Sequence, residues 1–278
     1  MRSQQHVSTE LTYEEKVKAS ELRVKTAIEE YGHECAVGCS FGKDSMAVLH
    51  MAMKYDPTVL AVWCNTGVEG PLTERFAHEC TESMGINIYE ARPKRGITFW
   101  TITEKYGWPS VRLSGKRKEK RIPACCIHLK DNPARDAYAM FGSRLLMTGV
   151  TAPESRNRWL VMKRNSNAAI ASGIDPLDPA GRGAGARYAL KNGTERLNPI
   201  IEWTVDDVFR YSEENGIPMH PIYSKDRSFR VGCLPCTSYI SWKDTLAKTD
   251  PKMLKFILER KEGQLQITDL CRWAGVIE

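Results

Sequence analysis

The sequence predicts an α/β fold with a doubly wound, mostly parallel sheet, and three observations carry that prediction. Residues 35–39 are small and apolar, and they run into Ser40-Phe41-Gly42-Lys43-Asp44-Ser45 and then an amphipathic helix. Thr58-Val59-Leu60-Ala61-Val62-Trp63-Cys64 is almost continuously apolar, as in a central parallel strand buried on both faces. After one more helix comes Ile86-Asn87-Ile88-Tyr89, so the order is βαβαβ, which favours right-handed crossovers. The chain has 278 residues, 42% hydrophobic and 27% charged, enough for one large, well-buried domain.

Each element follows from local pattern. Residues 9–31 read as a helix with an apolar stripe of Leu11, Val17, Leu22, Val24, Ala27 and Ile28, stopped by Gly32. A strand over 34–39 and a helix over 44–54 flank the Ser40–Ser45 turn. The second strand ends in Asn65-Thr66-Gly67, and residues 72–84 read as a helix. Residues 107–124 break the pattern. Arg112, Lys116, Arg117, Lys118, Lys120 and Arg121 crowd there with a single acid, Glu119, as a phosphate or nucleic-acid clamp or as a solvated loop. Residues 127–141 read as a helix and 144–150 as a fourth strand. The polar loop 151–158 follows at its carboxyl end, where open parallel sheets carry ligands. Residues 172–193 hold five glycines with Pro176 and Pro179, too many for a core element, so a mobile flap or insertion is expected. Residues 196–201 read as a fifth strand. A helix with Thr204 as N-cap and Asp206 and Asp207 in its first turn follows, closed by Gly216-Ile217-Pro218. The expected organisation is an N-terminal helix over 1–32, an α/β nucleotide-binding domain over 33–220 and a C-terminal segment over 221–278.

Composition narrows the function classes. No run of 18 apolar residues is present, so no transmembrane helix is expected, and no apolar signal core follows Met1-Arg2-Ser3-Gln4-Gln5-His6. The expected compartment is the cytoplasm. A formal charge of +6 and a pI near 8.8 suit an anionic substrate and permit a nucleic-acid partner.

The turn Ser40–Ser45 is the first chemical feature. A strand running through small residues into a helix start gathers backbone N–H groups and the positive end of the helix dipole, an anion site. Lys43 adds a point charge, and Ser40 and Ser45 add hydroxyls. The spacing is not that of a Walker loop. The cysteines are the second feature. Nine cysteines with clustered spacing point to metal or redox chemistry rather than a disulfide framework. Cys125-Cys126 and Cys233-x-x-Cys236 supply four thiolates, the count for a [4Fe–4S] cluster or an all-thiolate zinc site. Cys35, Cys39, Cys64 and Cys80 fall in predicted strands and a helix, where a free Cys is a small core hydrophobe. Cys39 and Cys64 border the turn and the second strand's end and stay open as persulfide carriers, as does Cys271 in Asp269-Leu270-Cys271-Arg272-Trp273.

Ser40-Phe41-Gly42-Lys43-Asp44-Ser45 resembles the pyrophosphate loop (PP-loop) of adenine-nucleotide alpha-hydrolase-like enzymes, and more narrowly that of the phosphoadenosine-phosphosulfate (PAPS) reductase family. Gly149, Glu154, Ser155 and Arg158 match that family's Gly-x-Arg-x-x-Glu-Ser-x-x-Arg signature. Thr151 stands where its first Arg is usual, and Arg156 is a candidate replacement. Asn198-Pro199-Ile200, Trp203 and Asp207-Val208 also fit the family. Cys125-Cys126-Ile127-His128-Leu129-Lys130-Asp131-Asn132-Pro133 and Gly232-Cys233-Leu234-Pro235-Cys236-Thr237 resemble the motifs of its cluster-bearing branch.

The resemblance implies a Rossmann-like sheet with a C-terminal cluster-binding segment. It implies a [4Fe–4S] cluster on Cys125, Cys126, Cys233 and Cys236, with Lys130 between cluster and substrate. It implies a nucleotide on Ser40, Phe41, Gly42, Lys43, Asp44 and Ser45, bordered by Asn65, Thr66 and Gly149, although Asn65 replaces the family's Asp. Lys43, Asp44, Arg156 and Arg158 are the candidate catalytic residues, with Asp44 placing Mg²⁺. Two chemistries share this frame. In one, ATP is split into AMP and pyrophosphate to activate a target for sulfur incorporation, as in DNA phosphorothioation, with DNA or a DNA-modification complex as partner and a cysteine desulfurase as sulfur donor. In the other, PAPS or its unphosphorylated form (APS) is reduced to sulfite. The intact Lys43-Asp44-Ser45 and the lack of a C-terminal Glu-Cys-Gly-(Leu/Ile)-His motif favour the first. A tRNA thiolation enzyme and a non-catalytic nucleotide sensor complete the alternatives. A homo-oligomer with no membrane association is expected.

Overall fold

The computed structural model describes residues 11–109, 122–190, 192–239 and 241–260. The first helix, α1 (Tyr13–Tyr31), starts at a capping box in which the Thr12 hydroxyl and the Glu15 carboxylate satisfy each other's backbone N–H groups. Then follow β1 (Cys35–Gly38), α2 (Lys43–Tyr55), β2 (Leu60–Cys64), α3 (Pro71–Met84), β3 (Ile88–Ala91) and α4 (Phe99–Tyr106). The next helical stretch has three parts: α5 (Ala124–Cys126), a π-helical turn (Ile127–Asp131) and α6 (Asn132–Met140). The remainder is β4 (Leu145–Thr148), α7 (Arg156–Ala171), β5 (Arg187–Ala189), β6 (Glu195–Leu197), α8 (Val205–Glu214) and α9 (Trp242–Thr249).

Six strands form one sheet in the order β3-β2-β1-β4-β6-β5. β1 pairs in parallel with β2 and β4, and β4 with β6, while β5 closes the edge antiparallel to β6. Ala36, Val37, Ala61, Leu145, Met147 and Leu197 are all fully buried, and β1 and β2 accordingly read as unbroken apolar runs. The chain therefore has the expected doubly wound, mostly parallel α/β sheet. Among the described residues no helix is long and apolar enough to cross a membrane.

Three elements depart from the sequence-based expectation. The third strand lies two residues later than 86–89, because Ile86 instead packs at 6% exposure after the turn at Gly85, whose φ is +65°. The helix expected over 127–141 begins earlier and carries a π turn just after the Cys125-Cys126 pair, a feature often found at functional sites. The stretch 172–193 is not merely a peripheral flap. Gly181 and Gly185, at φ +81° and +73°, turn the chain so that Ala186 and Arg187 are buried and β5 joins the sheet. Arg187 then pairs with Glu30 and Glu195. Of the basic segment 107–124, residues 110–121 lie outside the described residues, as does Cys271.

The chain divides into two compact units. The first comprises the residues up to Trp63 with Ala77–Tyr89 and Ala137–His220. The second comprises Cys64–Phe76, Glu90–Asp136 and the residues from Pro221 onward, so the segment after 220 shares a unit with two earlier pieces. In the second unit Phe99, Ile102, Cys125 and Leu129 form one buried cluster, and Trp242, Leu246 and Ile257 another.

Candidate functional site

The first unit carries the PP-loop-like turn. β1 ends at Gly38, and the Cys39 amide continues the ladder by donating to the Val62 carbonyl at 3.0 Å. The chain then turns sharply at Phe41, whose φ of 57° lies in the left-handed region that non-glycine residues seldom occupy. Its fully buried ring, edge-on to Trp63 at 5.4 Å, holds that conformation. The Ser45 hydroxyl closes the turn. It donates to the Gly42 carbonyl at 2.9 Å and accepts from the Ser40 amide at 3.1 Å. Gly42 is the N-cap of α2 and makes no side-chain capping hydrogen bond, so the turn leads straight into a helix N-terminus, whose dipole favours an anion.

Lys43, only 6% exposed, places Nζ 2.8 Å from both carboxylate oxygens of Asp44 and 3.4 Å from Oε1 of Glu154. Burial raises the Asp44 carboxyl above its ordinary range and the Glu154 charge adds to this, while Lys43 opposes both. Glu154 also accepts from the Arg158 guanidinium, which reaches toward the Thr151 carbonyl as well. Arg156, the first residue of α7, is exposed. Arg158, not Arg156, is the arginine tied to Glu154 and so to Lys43. Gly149 completes the group. A β-carbon there would lie 2.5 Å from the main-chain carbon of Asp44 and 2.7 Å from its oxygen. Glu154 was visible in the sequence as part of a signature, but its place beside Lys43 was not.

The second unit holds the end of β2 and the four cysteines. Asn65 has a structural explanation for standing where an Asp would be usual. Its Nδ2 donates to Glu74 at 3.2 Å and Glu90 at 2.6 Å, and its Oδ1 accepts from the Gly67 amide at 2.9 Å. A carboxylate there would face two others. Thr66 sets its hydroxyl 3.4 Å from Cys233 Sγ.

Cys125, Cys126, Cys233 and Cys236 line a single cavity of about 220 Å³, which Leu129 and Lys130 also border. Cys125 and Cys126 arrive on the first turn of a helical stretch anchored by buried Leu129. Cys233 is brought in as the Leu234 amide donates to the Val68 carbonyl at 2.8 Å. The Cys125 thiol is pushed strongly upward by its hydrogen bond with Cys126, by burial, and by the charges of Cys126, Cys233 and Cys236. The charges that hold the Cys125 thiol protonated are ones that a bound cationic metal centre would relieve. Among the described residues no three His, Cys, Asp or Glu side chains already stand at metal-ligand spacing.

Lys130 Nζ lies 3.9 Å from Glu69 Oε1. Burial alone would lower its pKa, but the charges of Cys233, Glu69, Cys126 and Cys64 outweigh this and raise it. Cys64 donates toward the Lys130 carbonyl at 3.6 Å. Burial pushes the Cys39 and Cys64 thiols up to about 11 each, so both are neutral packing thiols near pH 7.

The model of the phosphoadenosine phosphosulfate reductase domain matches residues 34–239. The chain belongs to that family. A phosphoadenosine 5′-phosphosulfate reductase of Vibrio parahaemolyticus is 25% identical over 210 residues, covering 74% of this chain and 68% of the relative. One from Xylella fastidiosa is also 25% identical, over 211 residues, covering 74% of each. Among solved structures, the phosphate complex of phosphoadenylyl-sulfate reductase from Candida auris superposes with a TM-score of 0.53 at 16% identity. It covers 82% of this chain and 98% of its own, and so shares the fold. Membership of the PAPS reductase family makes this chain an enzyme of that general type, built on the PP-loop fold.

Proposed function

We propose that the protein is an ATP pyrophosphatase of the PAPS reductase family that adenylates a target for sulfur incorporation. The observation that carries this is the Lys43–Asp44–Glu154 group. Lys43 and Arg158 balance two carboxylates, Asp44 and Glu154, at the mouth of an anion-binding turn. The same carboxylates suit a magnesium triphosphate, since Mg²⁺ binds through one or two carboxylates together with substrate phosphates.

The roles follow from position. The backbone donors at the start of α2, with Ser40, Ser45 and Lys43, are aimed at the β and γ phosphates. An oxygen anion of the acceptor attacks the α phosphorus, and the new P–O bond forms as the bond to the bridging oxygen breaks. Pyrophosphate leaves with that electron pair, its charge met by Lys43 and the turn amides; Asp44 would hold a Mg²⁺, which when bound supplies further positive charge. Arg158, steadied by Glu154, is placed to hold the α phosphate or the acceptor. Cys125, Cys126, Cys233 and Cys236 would hold a [4Fe–4S] cluster, which when bound supplies an iron centre able to carry sulfur or electrons. Lys130 would set a positive charge beside it. The proposed acceptor is the DNA backbone, in keeping with the basic stretch 107–124, and the proposed donor is a persulfide from a cysteine desulfurase.

A second proposal, sulfonucleotide reduction to sulfite, is supported by the names of curated relatives at 22–25% identity, among them phosphoadenosine 5′-phosphosulfate reductases of Vibrio parahaemolyticus and Photobacterium profundum. Magnesium separates the two. If the first holds, Mg²⁺ tightens ATP binding about tenfold or more, and Asp44→Asn removes that gain. Tighter binding of PAPS than of ATP, with no response to Mg²⁺, would reverse the order of the two proposals.

A further inference from the structure

Helix α7, in the first unit, runs for 16 residues without burying one of them. Its inner side is half-buried. There the Ser166 hydroxyl donates to the Gly183 carbonyl at 2.6 Å, and Met162 and Ala169 lie on the same side. Arg156, Trp159, Leu160, Lys163 and Ile170 recur at intervals of three, four or seven and so share the other side, flanked by Arg164. All of these are exposed, Trp159 and Leu160 at 47% and 48%. The helix carries four cations, Arg156, Arg158, Lys163 and Arg164, and no acid. Arg158 is taken by Glu154. Among the described residues no carboxylate pairs with Arg156, Lys163 or Arg164. Past the end of the helix, Asp175 accepts from the Leu177 amide and Asp178 is held by Arg182. Lys163 Nζ stands 5.7 Å from the centre of the Trp159 ring.

Large apolar side chains set among unpaired cations suit a partner that is anionic and also offers flat apolar surface. A second copy of this chain fits poorly, because a two-fold contact would set the same cations against each other. A lipid surface fits poorly too, because cations and apolar side chains share one side of α7 instead of occupying opposite sides. A single nucleic-acid strand meets both needs. Its phosphates match Arg156, Lys163 and Arg164, and a base can stack on the Trp159 ring. We propose that the outer side of α7 is a docking surface for single-stranded DNA. The first turn of the same helix carries Arg158, which meets Glu154 and through it Lys43. A strand lying along α7 is thereby led to the group proposed above to adenylate it, and the choice of DNA rests on that reading.

The test titrates a labelled single-stranded oligodeoxynucleotide of mixed sequence, by fluorescence anisotropy, without ATP and over a range of salt. It compares full-length wild type, Trp159→Ala and the double variant Lys163→Glu/Arg164→Glu. These side chains are exposed, so melting temperature should hold and ATP affinity should stay within about twofold. Each variant is expected to weaken the strand by about tenfold or more. Loss of two phosphate contacts in the double variant should also flatten the slope of log affinity against log salt by about 1.4. No strand binding by wild type, or equal binding by wild type and both variants, would overturn the proposal. So would weakening by the double variant with Trp159→Ala silent, since no base would then stack on the ring. Poly-glutamate and phosphatidylserine vesicles are titrated in parallel, and a loss confined to either would assign the face to an acidic protein or a membrane instead. An RNA strand of the same sequence bound about tenfold more tightly would overturn the choice of DNA. The titration contains no ATP, so it is independent of the proposed reaction. A strand held through α7 by a protein that releases no pyrophosphate would defeat the reaction and leave the docking surface standing.

Discussion

The position that a β-carbon would occupy at Gly149 is 2.5 Å from the main-chain carbon of Asp44 and 2.7 Å from the Ser45 amide nitrogen. The loop after β4 therefore lies directly against the start of α2, and only a hydrogen fits between them. Gly149→Ala is expected to push the turn out of place at a cost of about 1–3 kcal/mol. Thermal melting and an ATP titration check this together. A variant that melts and binds as wild type would show that the close approach is dispensable.

Lys43 is the cation between Asp44 and Glu154. Lys43→Ala leaves the two carboxylates facing each other and removes the charge expected to meet the leaving group. Turnover should fall on the order of 10²–10³-fold, as for loss of one transition-state donor. Steady-state pyrophosphate release measures it. Retention of more than half the wild-type rate would move the leaving-group role away from Lys43.

The four cysteines lining one cavity lead to a compositional expectation. Anaerobically reconstituted wild type should hold iron and acid-labile sulfide, and Cys233→Ser or Cys126→Ser should lose both. Thr66→Val, which removes only the hydroxyl 3.4 Å from Cys233 Sγ, should keep them. Stoichiometric zinc in place of iron and sulfide would contradict the cluster assignment.

Acid stability should depend on His220. Burial at 3% exposure pushes its imidazole from 6.5 down to about 4. Between those values the unfolded chain takes up a proton that the folded chain refuses. Stability from this group is thus present above pH 6.5 and lost as pH falls toward 4, by at most about 3 kcal/mol. Denaturant melts from pH 7 to pH 4 should show that slope in wild type and a flatter one in His220→Asn. Parallel slopes would assign the acid sensitivity to other groups.

Much of the fold was legible because its signals are local. Thr204 with Asp207 and Gly32 mark helix ends, and the apolar runs at 35–39 and 58–64 mark strands buried on both faces. Where the order of buried strands depended on distant partners, the sequence was mute. The edge strand Arg187–Ala189 sits in a stretch whose glycines read as a flap, because its stabilising partners, Glu30 and Glu195, lie elsewhere in the chain. The site was legible as motifs rather than as contacts. Ser40–Ser45 and the two cysteine motifs were evident, but the meeting of Glu154 with Lys43 spans 111 positions and no periodicity encodes it. Asn65 read as a substitution in a nucleotide turn. Its tethers to Glu74 and Glu90 become apparent only once the end of β2 lies beside them.

The decisive measurement is anaerobic incubation of the iron-loaded protein with Mg-ATP or with PAPS, scoring pyrophosphate against sulfite. Pyrophosphate from ATP, abolished in Lys43→Ala, with no sulfite from PAPS, is the expected result. Sulfite from PAPS without turnover of ATP would contradict it.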